Sequence, residues 1–318
     1  MSVSVLSRET QPEHESAVHP QPVHQWQVHK LCAEEILLTT WAERSPECFV
    51  LTANWPRQHD FYRPSQGAYD PLLLAESVRQ AVPLLSHAVH GVPREHQQAW
   101  EDFSFSFEPL ASLVTTADEE VRLTVACSDV VRRGARFAGM VMDVEVHQGE
   151  RLLGTARTRF NNQPAAVYRR LRGPYADKAA ALALRLPPGP PVEPRRVDRD
   201  SRHDVVLSPA PGGGRGRWLL RSDPAHPVLF DHAVDHAPGM LLLEAARQAA
   251  HAAFDSPHAV VGMRTRFIRY VEFDAPALVL VGEPVPDGPG RHRVAVSVEQ
   301  HGASAFTSEV TVETALGL

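Results

Sequence analysis

The sequence predicts an α+β chain made of two fused copies of one unit, each a long central helix wrapped by an antiparallel sheet. Three observations predict it. The segment Asp70-Pro-Leu-Leu-Leu-Ala-Glu-Ser-Val-Arg-Gln-Ala81 recurs as Pro238-Gly-Met-Leu-Leu-Leu-Glu-Ala-Ala-Arg-Gln-Ala249, and a shift of 168 residues superposes Glu76 on Glu244, Arg79 on Arg247 and Gln80 on Gln248. After each segment the hydrophobic pattern changes from a helical period to strict alternation. The length, 318 residues with 43% hydrophobic and 22% charged, suits one large or two modest globular domains.

Residues 1–24 are polar, carry Pro12, Pro20 and Pro22, and are expected to form a flexible leader. The first repeat is read over residues 25–171 and contributes a strand at 49–53. Asp70 can then cap a helix whose first position is Pro71, where a missing N–H costs nothing. Leu74, Val78, Ala81 and Leu85 share one helical face, and Pro83 is expected to kink or end the helix early. Phe103, Phe105 and Phe107 alternate with Asp102, Ser104 and Ser106, the signature of a half-buried strand. Strands follow at 121–128, 136–147 and 152–161, the last two joined at Gln148-Gly149.

Residues 172–204 read as a Pro- and Arg-rich linker in which crowded prolines forbid regular hydrogen-bonded structure. The second repeat spans 205–318, with a Gly-rich surface loop at 209–217 and a strand at 217–221. Its helix opens at Pro238, and strands are expected at 260–272, 277–283, 292–300 and 305–313, the last pair turning near His301-Gly302. A single apolar helix followed by such a meander is best buried by wrapping the sheet around it. That is the hot-dog arrangement, and tandem copies would pack as a pseudo-dimer, a double hot dog; self-association beyond that is left open.

Charge and composition exclude several function classes. Thirty-two positive against 38 negative residues give a net charge of −6, which argues against a broad nucleic-acid-binding surface. No apolar run approaches the ~18 residues of a membrane span, and the first residues lack a signal core. The three cysteines have no paired spacing, so neither a disulfide framework nor a zinc ribbon is indicated, and a cytoplasmic protein is expected. Only Lys30 and Lys178 are lysines, and neither lies in a convincing Schiff-base motif. An anionic ligand would therefore meet mainly guanidinium groups.

The densest group of reactive side chains is Phe230-Asp-His-Ala-Val-Asp-His-Ala-Pro-Gly-Met-Leu-Leu-Leu-Glu244. It resembles the His…Pro-Gly…Glu pattern of hot-dog dehydratases that act on carrier-protein thioesters, with His232 and Glu244 in the corresponding positions. His236 lies closer to Pro238, Asp235 precedes it, and the helix opening at Gly239 aims free N–H groups at the loop. The alternative is that Glu244, Arg247 and Gln248 form a buried polar network that only fixes the helix. Pro238 interrupts any helix that would align His232 with His236, so no metal is expected. No cofactor is expected either. In the first repeat, Asn54-Trp-Pro-Arg-Gln-His-Asp-Phe-Tyr-Arg63 offers His59 as the loop histidine facing Glu76, with Arg57 and Tyr62 as further binding candidates. Structural roles are the alternative for Trp55, Phe61 and Tyr62.

Further motifs carry a more specific resemblance. Val28-His-Lys with Glu35-Ile-Leu-Leu-Thr39 and Trp41, the Trp55-Pro-Arg and Phe61-Tyr segment, the helix motif at 70–80, and Gly91-Val-Pro-x-x-His-Gln97 are similar to the γ-butyrolactone synthase family of A-factor biosynthesis proteins. Phe230-Asp-His-x-x-Asp-His-x-Pro-Gly-Met240 and Phe267-x-Arg-Tyr-x-Glu-x-Asp-Ala-Pro276 match its second repeat. The resemblance runs in order through residues 25–315.

It implies transfer of a β-ketoacyl group from an acyl-carrier-protein thioester to the hydroxyl of dihydroxyacetone phosphate. The ester can then close by intramolecular aldol condensation to a butenolide phosphate, the route to a diffusible signalling lactone. On this reading Glu76 or Glu244, with a pKa raised by burial, is the base and His232 polarises the thioester carbonyl. Arg79 and Arg247 are the leading phosphate ligands, unless each instead neutralises the glutamate three residues earlier. Gln80 and Gln248 complete the two candidate sites. A dehydratase or thioesterase of the same fold and a non-catalytic lactone-binding regulator are the rival readings.

Overall fold

The computed structural model describes residues 19–65, 67–114, 119–214 and 216–314. Most of the expected leader lies outside them, but its end is anchored: Gln21–Pro22 (β1) pairs with Leu38–Ser45 (β2). Cys48–Ala53 (β3) returns beside β2, and Leu72–Ala88 forms α1. The rest of the first repeat is Gln97–Phe107 (β4), Val121–Arg133 (β5), Arg136–Gln148 (β6) and Arg151–Gln163 (β7). Two short helices follow, Ala165–Arg172 (α2) and Lys178–Ala183 (α3). The second repeat contains Leu207–Pro209 (β8), Arg217–Leu220 (β9), Gly239–His251 (α4), His258–Phe267 (β10) and Leu278–Val281 (β11). Val285–Pro286 (β12), Arg291–Gln300 (β13) and Ala303–Thr314 (β14) complete it.

All fourteen strands join one sheet, in the order β1-β2-β3-β5-β6-β7-β4-β10-β14-β13-β11-β9-β8, with β12 on β13. The order reveals the duplication. The path β2-β3-β5-β6-β7-β4 has its counterpart in β8-β9-β11-β13-β14-β10, and the copies meet where β4 and β10 pair antiparallel, Phe103 opposite Thr265 and Ser106 opposite Gly262. The tandem hot dogs that the sequence pattern predicted are present, and they share one continuous sheet.

The central helices are apolar on nearly every side, and a helix of that kind must be enclosed. Leu72, Leu73, Leu74, Val78 and Leu85 of α1 are fully buried, as are Leu243, Ala245 and Ala249 of α4. The two helices touch each other, and each packs on strands of its own repeat. Phe103, Phe105 and Phe107 point inward between exposed or half-exposed neighbours, as alternation requires.

Two expectations are corrected. Pro83 does not end α1, which continues to Ala88 because Val82, Leu84 and Leu85 around it are held in the core. The residue-172–204 segment is not a loose tether. It contains α3, capped by the Asp177 side chain on the Ala179 and Ala180 amides, and it buries Arg199. Its proline stretch is tied down as well, through Leu186 N–H to the Phe273 carbonyl and Val192 N–H to the Leu207 carbonyl. Hydrogen bonds to other segments replace the internal ones that proline forbids. The strand β2, for which the sequence was not read as a strand, covers the outer edge beside β3.

Candidate active site

Equivalent positions on α1 and α4 build two polar clusters by the same local rule. Gln80 accepts from the Leu37 amide (2.9 Å) and donates to the Glu35 carbonyl and to Glu76 (both 2.8 Å). Gln248 accepts from the Val206 amide (2.9 Å) and donates to the Asp204 carbonyl (2.7 Å) and to Glu244 (2.6 Å). Each glutamine therefore pins the segment entering its repeat to the central helix and holds the glutamate one turn earlier. Each cluster also receives a cation from that entering segment, Lys30 in the first copy and Arg199 in the second.

From there the copies diverge. Arg199 presents its fork to both oxygens of Glu244 (2.7 Å each) and also reaches Asp70 (3.2 Å) and the Phe61 carbonyl (2.8 Å). Arg247 turns to Asp198 (2.5 Å). Glu244 has no exposed surface, and neither it nor Arg247 lines the cavity that Glu76 lines. The structure thus places Glu244, Arg247 and Gln248 in the kind of buried polar network weighed as the alternative, and none of them lines the cavity shared by Glu76 and His232.

The first copy is open. Lys30 takes one oxygen of Glu76 (3.1 Å), while Arg79 spans both through Nε (2.8 Å) and Nη2 (2.9 Å). Arg79 Nη2 also donates to the Val28 carbonyl (3.2 Å), which leaves Nη1 without a partner among the described residues. Glu76, Arg79 and Lys30 line a cavity of about 740 Å³ closed on its other side by the second repeat, with Asp231, His232, His236, Pro238 and Gly239. The site therefore belongs to both repeats. Asp231 ties them together, accepting from the Leu31 (2.7 Å) and Cys32 (2.9 Å) amides.

The local sequence explains how the second-repeat wall is held. Asp235 is buried and accepts from Tyr168 Oη (2.7 and 2.9 Å), from Arg172 Nε (3.3 Å), and pairs with His236 Nδ1 (2.7 Å). Burial opposes its charge, but His236, Tyr168 and Arg172 hold the carboxyl well below its usual range. Asp235 itself does not line the cavity; it orients His236, which does. At the start of α4 a Cβ on Gly239 would sit 3.1 Å from the Trp100 ring and 3.4 Å from Phe267, so any larger residue would require the aromatic wall to give by a few tenths of an ångström. His232 lines the cavity with Nδ1 lacking a hydrogen-bond partner, its pKa lowered by burial and by Arg79.

Three other candidates fall outside. His59 Nδ1 accepts from the Phe61 (3.0 Å) and Tyr62 (3.1 Å) amides and its Nε2 faces Glu35 (3.4 Å), so it shapes its loop. Its counterpart is His226, which accepts from the Val228 and Leu229 amides, not His232. Tyr62 is buried against His59 and Phe61, and Arg57 is exposed; neither lines the cavity.

The electrostatics of Glu76 overturn the expected raised pKa. Burial alone would raise it, but Arg79 and Lys30 outweigh that and hold the carboxyl at about 2 against an ordinary 4.5. Both of its oxygens are already engaged, by Arg79, Lys30 and Gln80. The folded-state value lies below the unfolded one, so the stabilisation is complete above pH ~4.5 and disappears as the pH falls towards 2, on the order of 3 kcal/mol in all. Denaturant titrations should accordingly show a steeper loss of stability between pH 4.5 and 2 for the wild type than for Glu76→Gln. Equal slopes would mean that the ion pairs do not stabilise the charged form.

Several cavity residues had no role in the sequence reading: His29, Lys30, Arg94, Tyr168, Lys178 and Asp231. One signal was available. In a chain with 30 arginines, both lysines line this cavity. The lining carries five cations, Lys30, Arg79, Arg94, Lys178 and Arg269, against the carboxylates Glu76, Glu101 and Asp231, a local excess of positive charge inside a chain of net charge −6. Val82, Val228, Leu242 and Phe267 supply an apolar wall. Such a cavity suits a ligand with an anionic end and a hydrocarbon part.

Residues 11–162 and 183–315 match the model of the A-factor biosynthesis hotdog domain. A 2-oxo-3-(phosphooxy)propyl 3-oxoalkanoate synthase of Streptomyces virginiae is 41% identical over 88% of this chain and 94% of its own. The protein of the same name from Streptomyces coelicolor is 36% identical over 91% of each chain. Among solved structures, the 12:0-ACP thioesterase from Umbellularia californica covers 84% of this chain and 97% of its own, with a TM-score of 0.50 and 10% identity, a likeness of fold alone.

Proposed function

The chain belongs to the A-factor biosynthesis hotdog family, and on that premise we propose the reaction that its cavity performs. It is an acyltransferase of signalling-lactone biosynthesis. A β-ketoacyl group moves from a thioester to the hydroxyl of dihydroxyacetone phosphate, giving the 2-oxo-3-(phosphooxy)propyl 3-oxoalkanoate named for its relatives. The product holds an activated methylene opposite a ketone, so intramolecular aldol condensation can close it to a butenolide phosphate.

One observation of the site carries this reading: an electropositive cavity that Arg79, the opening residues of α4 and an apolar wall line together. The phosphate would lie against Arg79, with Lys178 as second cation. The thioester carbonyl would face the α4 amides near Gly239, where the positive helix end stabilises an oxyanion, with His232 and His236 beside it. The acyl chain would run along Val82, Val228, Leu242 and Phe267. An acyl carrier protein is the proposed donor, docking at the cavity mouth. Among the described residues no helix is long and apolar enough to cross a membrane, and the cytoplasm is the proposed setting.

Purified protein, a β-ketoacyl carrier-protein thioester and dihydroxyacetone phosphate should yield the phosphorylated keto ester or its butenolide by mass spectrometry. Thiol release should fall to background when the acceptor is omitted. Equal release with and without it would instead identify a thioesterase.

A further inference from the structure

The attacking hydroxyl must lose a proton, and Glu76, whose two oxygens are already engaged by Arg79, Lys30 and Gln80, is unsuited to take it. A different group is arranged for that task. His29 lines the cavity, immediately before Lys30, and its backbone adopts φ 53°, a left-handed conformation uncommon for a residue with a side chain. Its Nε2 lies 2.7 Å from Nε2 of His87, and Nδ1 of His87 lies 2.6 Å from the Val92 carbonyl.

Hydrogen-bond logic fixes every proton in this chain of contacts. A carbonyl only accepts, so His87 Nδ1 carries hydrogen. The Nε2 of a neutral His87 is then a lone pair, and His29 Nε2 must donate to it. His29 Nδ1 consequently holds the free lone pair, and no described residue is paired with it.

From this arrangement the geometry points to His29 as the proton acceptor of acyl transfer, with His87 as the positioning residue that locks its tautomer. The inference rests on the acyl-transfer reading above and supplies its missing base. His29 Nδ1 takes the acceptor hydroxyl proton as the oxygen bonds to the thioester carbonyl carbon, whose π pair moves onto oxygen. Collapse of that oxyanion breaks the C–S bond, and the imidazolium returns the proton to the departing thiolate, so ester and thiol balance thioester and alcohol.

The surroundings fit a neutral base. Burial first, then the charges of His87, Arg79, His232 and Lys178, hold the His29 pKa down to about 3, so before the acceptor binds the imidazole is neutral but only weakly basic. A phosphate on Arg79 and Lys178 would cancel part of that repulsion and make the imidazole more basic when the acceptor arrives.

Steady-state kinetics of His29→Ala and His29→Gln should show kcat lowered about 100-fold or more with KM for the thioester within a few fold, and added imidazole should partly restore His29→Ala. A kcat within threefold of wild type would overturn the assignment. Two-bond 1H–15N spectra of the wild type give a second test, independent of whether the variants fold. They should find His29 neutral and protonated at Nε2, and His87→Ala should convert it to a tautomer mixture with lower kcat. Protonation of wild-type His29 at Nδ1 would equally overturn the assignment. If the wild type itself forms no ester, the functional reading fails instead, which separates the two.

Discussion

Glu76→Gln is expected to lower kcat about 100-fold, whereas Glu244→Gln retains near-wild-type turnover, although the two residues occupy the same position in the two repeats. The substitution keeps shape and removes charge. At position 76 it takes the charged acceptor from Arg79 Nε and Nη2 and from the buried Lys30 amine, and it places an amide hydrogen against one of these donors. Both cations must shift, and Arg79, the residue proposed to meet the phosphate, moves with them. A displacement near 1 Å is worth about 100-fold in rate when it misaligns a reacting pair. At position 244 the same change is felt by Arg199, Gln248 and the neighbouring network, none of which lines the cavity. Steady-state kinetics on both variants, with circular dichroism to establish folding, check this. An inactive Glu244→Gln beside an active Glu76→Gln would place the working site in the second copy and refute the assignment.

The fold was legible because its signals are local and repeated. Helical spacing at Leu74, Val78 and Leu85, alternation at Phe103, Phe105 and Phe107, and the Glu-x-x-Arg-Gln duplication each survive in the structure. Where tertiary packing overrides a local rule, the reading failed. Pro83 sits inside a continuous helix because a buried surround holds the turn together, and the proline-rich segment is ordered by bonds to distant residues.

The site was harder, for a topological reason. Reading each repeat as self-contained pairs His232 with Glu244 and His59 with Glu76. The pairing of β4 with β10 instead brings the 228–239 loop of the second copy onto the helix of the first, so His232 shares a cavity with Glu76. Nothing in linear spacing reports that exchange. The true equivalence of His59 is with His226, visible only through their matching bonds to the amides two and three residues on. Val28-His-Lys was recognisable as a motif, but its chemistry depends on His87 and Glu76, roughly fifty residues away in sequence and adjacent only in the folded chain.

Arg199→Met is expected to destabilise the protein by about 3–5 kcal/mol, the largest stability loss available from a single side chain of the sealed cluster. Arg199 is buried and hydrogen-bonds to both Glu244 and Asp70, two carboxylates with essentially no solvent contact, which Arg247 approaches only at 3.7 and 3.9 Å. Methionine keeps much of the volume and removes the charge, leaving both acids to be neutralised by Arg247 alone, whose nearest bond is to Asp198. An unpaired buried charge costs more than the net value of the pair it came from, so the loss should exceed that of a surface ion pair several fold. Urea denaturation measures it, and Glu244→Gln in the same chain should return at least half of it by removing the stranded charge, a non-additivity that packing loss alone does not produce. The contrast with Lys30 gives this cluster its meaning. A guanidinium fork engages both oxygens of Glu244 in the second copy, whereas a single ammonium leaves room for Arg79, which lines the cavity, to bridge Glu76. A silent Arg199→Met would mean that Glu244 and Asp70 are not both ionised, and the charge-based account of why one copy is closed and the other open would fall with it.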